Sequence, residues 1–387
     1  MEAYLDNAAT TSVFPEVCDI MVKVMTKDYG NPSSKHIKGM EAEKYITNAA
    51  ESIASLLKCQ IGEIIFTSGG TEANNIALIG AAMANKRSGK HIITTKIEHA
   101  SVYEPLAFLE KQGFEVTYLP VDKNGLLDVS TFVDAVRDDT ILVSIMYVNN
   151  EVGAVQDIKK LCGAVKKVNP TTLFHVDAIQ AYGKYKIVPK RLGIDMMSVS
   201  GHKIHGPKGS GFLYVKDKTK INPVMFGGGQ QKGMRSGTEN VPAIAGLGLA
   251  SELIYKNNSE NIEKLYELKK SFIEKLKEID GVTVNAVCGI DLEKTAPHIV
   301  SASFEGIKSE VLLHALAEKK IFVSSGSACS SNRPELSGTL KAIGVKDTLL
   351  DSTLRFSFSL FNTEEHIDYT IKVISDTLPI LRKFIRK

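Results

Sequence analysis

The sequence predicts an α/β protein: a large domain built on a mostly parallel sheet, followed by a smaller α+β unit. Three observations carry this. Short, unbroken apolar runs alternate with helix-length segments from about residue 15 to residue 250. The runs lack the polar alternation of a half-exposed strand, so helices must cover both faces of the sheet. A long helical pattern at 260–279 then ends the alternation, and short strands with few helices follow it.

In chain order, "EIIFTS" (63–68) is a strand, and a Gly-Gly turn leads from it into the helix "TEANNIALIGAAMA". "HIITT" (91–95) is the next strand, followed by the helix "SVYEPLAFLEKQG", which Gly113 stops. "EVTYLPV" and the long apolar "TILVSIMYV" (140–148) are strands, with a helix from about Asp157. "TLFHVDA" and "DMMSVS" (195–200) are strands, and the crossovers are expected to be right-handed. The helix "ENIEKLYELKKSFIEKLKEI" joins this unit to "TVNAV", "HIVSASF", a helix near 309–319, "IFVSSG" and "TLRFSFSL". The expected division is 15–255 for the large domain and 1–14 with 256–387 for the small one. In "TLRFSFSL", Leu354, Phe356, Phe358 and Leu360 share one face, which turns Arg355 away from the apolar side.

Composition excludes several function classes. The 387 residues are 43% hydrophobic and 24% charged, with a net charge of +3, too small for a nucleic-acid surface. Lys159–Lys160 and Lys166–Lys167 recur at helical spacing and read as a solvated helix face. The start "MEAYLDNAAT" has no basic segment before an apolar run, which is not a signal peptide. No apolar run approaches the ~18 residues of a membrane span. Five cysteines (18, 59, 162, 288 and 329) are scattered with no CxxC pair. That pattern argues against a disulfide framework or a metal site and for a reducing, cytoplasmic setting.

"SVSGHKIHGPKGSG" (198–211) has phosphate-loop glycine spacing, but Pro207 stands where Lys-Ser or Lys-Thr is needed. The alternative is a reactive Lys203 after an apolar strand, suited to Schiff-base chemistry. Such a lysine serves pyridoxal phosphate, which also needs a carboxylate for its ring nitrogen and donors for its phosphate. Asp177 stands at a predicted strand end, where open α/β sheets bind ligands. "TSGGTEANN" (67–75) puts Thr71 at a helix start, where main-chain N–H groups hold phosphate. "SSGSACSS" (324–331) sets Cys329 among serines and glycine, a composition of mobile loops.

These motifs, with "YLDNAATT" (4–11), "YGNPSS" (29–34), "EHASV" (98–102), "NNEVG" (149–153), "MRSGTENVP" (234–242) and "LRFSFSLFNTEEHID" (354–368), run nearly the whole chain. Together they resemble the cysteine desulfurases of the NifS/IscS type, class V members of the fold-type I pyridoxal-phosphate enzymes. The resemblance implies a seven-stranded sheet and conversion of L-cysteine to L-alanine, with sulfur passing to Cys329 as a persulfide. It implies that Lys203 bonds the cofactor and Asp177 pairs with its ring nitrogen. Gln180 and Asn150 would contact the ring oxygen or substrate, and His99 would lie over the ring and relay protons, including that of the substrate thiol. Gly70, Thr71, Ser200 and His202 would bind the phosphate, with Thr238 reaching it from the other subunit of a homodimer. Arg355 would clamp the substrate carboxylate. The long segment after Cys329 resembles the group that serves iron–sulfur scaffold and tRNA-thiolation partners. Many housekeeping members carry a tail beyond "LPILRKFIRK" for docking a scaffold, and docking of that kind is not expected here. A loop thiol could visit the site and then swing out to a sulfur-acceptor protein.

Overall fold

The structure, a computed structural model, describes residues 1–325 and 336–383. Its strands are β1 (Ala3–Tyr4), β2 (Ile64–Thr67), β3 (His91–Thr95), β4 (Glu115–Leu119), β5 (Thr140–Met146), β6 (Leu173–Asp177), β7 (Met196–Ser200) and β8 (Gly211–Val215). They continue with β9 (Val282–Val284), β10 (Ile299–Phe304), β11 (Ile321–Phe322), β12 (Ser324–Ser325) and β13 (Thr353–Ser357). Seven form one sheet in the order β2-β8-β7-β6-β5-β3-β4.

Every residue of β3, β5 and β7 is buried, which is why these segments lack the polar alternation of a half-exposed strand; their polar members, such as His91 and Ser144, are buried too. On one face Val143, Ile145, Val176 and Val199 pack against Ile53, Val165 and Leu247 of three helices. On the other, Leu142, Met196 and Leu213 pack against Ile76, Ala77 and Leu106. The six strands read from the sequence are all present. The seventh, β8, was not read from apolar periodicity: "GFLYV" is five residues long and follows a Gly-Pro-Lys-Gly-Ser turn. It pairs antiparallel with both β7 and β2, so one edge of the sheet departs from the parallel pattern.

A second sheet, β12-β13-β10-β9, packs on the long helix Asn258–Lys277. Phe272 of that helix meets Phe356 at 4.8 Å between ring centroids and Phe358 at 5.6 Å. The alternation of β13 therefore works as read: Leu354, Phe356 and Phe358 enter this core, and Arg355 faces the opposite way.

The N-terminal segment adds a third, two-stranded sheet and then bonds to β13 of the second sheet and to the turn that follows β7. β1 pairs in parallel with β11. Further on, the Ala8 N–H donates to Ser357 Oγ (2.8 Å) and the Thr11 N–H to the His202 carbonyl (2.9 Å). This path carries Asp6, Ala8 and Ala9 along the carboxyl ends of β6 and β7.

Candidate active site

A cavity of about 470 Å³ opens at those strand ends. It is lined by ten of the twelve residues the sequence singles out: Gly70, Thr71, His99, Asn150, Asp177, Gln180, Ser200, His202, Lys203 and Arg355. Thr238 is exposed and lies outside it. Cys329 lies outside the described residues.

Local structure places each group. Asp177 closes β6 and Ser200 closes β7, so adjacent parallel strands bring both to one rim. The 3-10 turn Gly201–Lys203 follows and carries His202 and Lys203 onto the cavity wall. Lys203 Nζ donates to the carbonyls of Ala8 (2.5 Å) and Ala9 (2.6 Å). Lys184 Nζ donates to the Lys203 carbonyl (2.8 Å), and its amine is pulled down to about 7, by burial first and then by the Lys203 charge. That bond fixes the Lys203 backbone from behind.

Asp177 is held on both oxygens. Oδ1 accepts the Ile179 N–H (3.0 Å), and Oδ2 accepts the Asn74 side-chain amide (2.8 Å). Burial raises its carboxyl above the ordinary range, against these two bonds and the charges of His99 and Lys203. A buried anion of this kind gains from a cationic N–H laid against it.

The helix Gly70–Asn85 points its N-terminus at the cavity, and no side chain caps it. Its first N–H groups remain available to an anion. Gly69 has φ 153°, a region for glycine, and a Cβ on Gly70 would fall 2.1 Å from Ile179 Cδ1. His202 sits beside this end, its imidazole pulled down to about 4 by burial first and by Lys203 and Lys208 next. A buried carboxylate, an amine and an uncapped helix end around one cavity fit pyridoxal phosphate. Lys203 would bond its aldehyde carbon, Asp177 its ring nitrogen, and Gly70, Thr71, Ser200 and His202 its phosphate.

Arg355 is 6% exposed, with Nη1 on the Asn150 carbonyl (2.9 Å) and Nη2 on Asp6 Oδ1 (2.8 Å). Its Nε has no partner among the described residues. The guanidinium is thus braced on two sides and keeps one donor edge for a carboxylate. Arg355→Lys, which loses the fork, is expected to raise the KM for an amino-acid substrate about tenfold to a hundredfold and to change kcat far less. Steady-state kinetics check this, and an unchanged KM would remove Arg355 from carboxylate binding.

Sequence reading missed Asp6, Asn74, Ser101 and Ser324. All but Asn74 line the cavity, and Asn74 bonds Asp177 from outside it. All four stand within motifs already marked, "YLDNAATT", "TSGGTEANN", "EHASV" and "SSGSACSS", and that nearness was their one signal. Gln180 is more committed than expected: Nε2 donates to the Ala8 carbonyl (2.9 Å) and Oε1 meets His298 Nε2 (3.2 Å).

Comparison with known proteins gives the family of the chain. The class-V aminotransferase family model matches residues 3–370. The chain is 44% identical to cysteine desulfurase IscS of Methanosarcina thermophila over 379 residues, covering 98% of this chain and 92% of that one. It is 45% identical to cysteine desulfurase IscS of Escherichia coli O139:H28 over 384 residues, covering 98% and 93%. Among solved structures, a NifS-like protein superposes with a TM-score of 0.92 at 37% identity, covering 98% of this chain and 100% of that one.

Proposed function

From the premise that this chain belongs to the class-V aminotransferase family and is a pyridoxal-phosphate-dependent cysteine desulfurase, we propose how its residues divide the work. The substrate is L-cysteine, and the products are L-alanine and a persulfide on Cys329. The sulfur then passes to an acceptor protein for iron–sulfur cluster assembly or tRNA thiolation. The observation that carries this reading is the single cavity in which Lys203, Asp177 and Arg355 meet.

Arg355 binds the substrate carboxylate, and the Asp6 and Asn150 contacts keep its fork aimed. Bound pyridoxal phosphate supplies the sink for the electron pair left at the substrate α-carbon. Asp177 would hold the proton on the ring nitrogen. Lys203 would take the α-proton from the substrate and later return it to the α-carbon. The Cys329 thiolate attacks the substrate sulfur, an S–S bond forms, and the C–S bond breaks with its electron pair going to carbon. One proton then completes the methyl group and the α-proton returns to the α-carbon, so cysteine and an enzyme thiol become alanine and an enzyme persulfide. Ser324 lines the cavity, and Cys329 follows it by five residues, a tether of about 17 Å at full stretch.

Thr238 is proposed to act across a homodimer. Its loop is anchored by Arg235 on Glu72 (2.7 Å) at the start of the helix Gly70–Asn85. A cytoplasmic setting fits the described residues, among which no helix is long and apolar enough to cross a membrane. The direct test is incubation of the purified, cofactor-loaded protein with L-cysteine. One alanine should form for each sulfur delivered to a capturing thiol, and a protein that yields no alanine would refute the reading.

A further inference from the structure

His99 caps the helix Ala100–Lys111, and two groups of Ser101 converge on its Nδ1. The Ser101 main-chain N–H stands at 3.1 Å and the Ser101 hydroxyl at 2.9 Å. An amide N–H can only donate, so Nδ1 must offer it a lone pair. A neutral imidazole carries one proton, which places it on Nε2.

The neighbours fix the direction of the remaining bonds. An ionised carboxylate only accepts, so the Asn74 amide must turn its nitrogen toward Asp177 Oδ2. The second hydrogen on that nitrogen goes to Ser101 Oγ (2.9 Å). With its oxygen accepting from Asn74, the Ser101 hydroxyl is set to donate to His99. The opposite orientation of Asn74 would set Oδ1 against the carboxylate. Donation therefore runs one way, from Asn74 through Ser101 to Nδ1.

We propose that Ser101 is a positioning residue that holds neutral His99 with its proton on Nε2. The imidazole then offers the cavity a hydrogen-bond donor, and Nε2 cannot receive the proton of a substrate thiol. That revises the relay expected of His99 from the sequence, and only the mention of a thiol substrate rests on the proposed function. Protonating the ring requires an N–H at Nδ1, directed against the Ser101 N–H. The charged groups facing the imidazole are Asp177, which favours the cation, and Lys203 and Arg355, which oppose it; burial is the largest influence and also opposes it.

The test is 15N NMR of the purified protein labelled at histidine, with His99 assigned by the signals lost in His99→Gln. At neutral pH, Nδ1 should resonate as an unprotonated nitrogen and Nε2 as a protonated one. Ser101→Ala keeps the main-chain N–H and loses the hydroxyl, so the tautomer should persist while the His99 titration midpoint rises by up to about one pH unit. Ser101→Thr should return the midpoint to its original place. A protonated Nδ1 in the neutral wild-type ring, or an unmoved midpoint in Ser101→Ala, would overturn the proposal. The alanine assay separates the two readings. Alanine formed by a protein with Nδ1 protonated sinks this inference alone, and no alanine from a protein showing Nε2–H sinks the proposed activity alone.

Discussion

Lys203→Ala is expected to lower alanine formation from L-cysteine by on the order of ten thousandfold. The protein should also lose the yellow absorbance band that a lysine-bound pyridoxal cofactor gives. Two separate tasks are proposed for this amine, bonding the cofactor before substrate arrives and carrying the α-proton afterwards. No described neighbour can stand in. Lys184, with its amine pulled down to about 7, spends its ammonium on the Lys203 carbonyl. His99 has Nδ1 occupied by Ser101. An absorbance spectrum of both proteins, followed by addition of L-cysteine, makes the measurement. A wild-type protein that shows no such band even after reconstitution with pyridoxal phosphate would remove Lys203 from this role. So would a Lys203→Ala variant that turns over normally.

Cys329→Ser should form alanine at least about a hundredfold more slowly than wild type when no external thiol is added. The proposed role of Cys329 is that of a nucleophile at sulfur, and serine keeps the size and polarity of the side chain without that reactivity. The other cysteines are poor substitutes. Burial pushes the Cys59 thiol up to about 11 and the Cys162 thiol higher still, so neither ionises near neutral pH. Cys18 and Cys288 are exposed, and none of these four lines the cavity. The readouts are alanine by amino-acid analysis and persulfide by mass. Alanine at the wild-type rate from Cys329→Ser would show that sulfur leaves by another route, and the sequence argument for this loop would fail. The cofactor band should be intact in this variant, which separates loss of the acceptor thiol from loss of the cofactor.

The two variants draw on different kinds of legibility. Asp177 was readable because a strand end is a local feature: an apolar run stops, and a polar residue stands at the stop; Lys203, three residues past the end of β7, was marked by the glycines around it. Parallel neighbours β6 and β7 then bring the two stops to one rim, as the register of Asp177 with Ser198 records. The expectation for Cys329 rests on composition, Ser and Gly around a thiol, and Cys329 lies outside the described residues. Arg355 was readable from the period-two pattern of β13. The strand β8 was not, because five residues after a glycine-rich turn give too little periodicity to separate a strand from a loop.

Sequence alone thus determined six of the seven strands of the large sheet, the strand end at which Asp177 stands and the face on which Arg355 projects. Each follows from the spacing of neighbouring residues along the chain. Tertiary structure alone decided what those groups touch. Asp6 braces Arg355 from 349 positions away, Asn74 holds Asp177 across 103, and the Ala8 carbonyl meets Lys203 across 195. Ser101 shows the limit most closely: it is two residues from His99, yet its hydroxyl takes its direction from Asn74, 27 positions earlier. Periodicity fixes which way a side chain faces within its own element. Which partner it meets depends on how separate elements pack, and that is set by burial of the whole core rather than by any short stretch of residues.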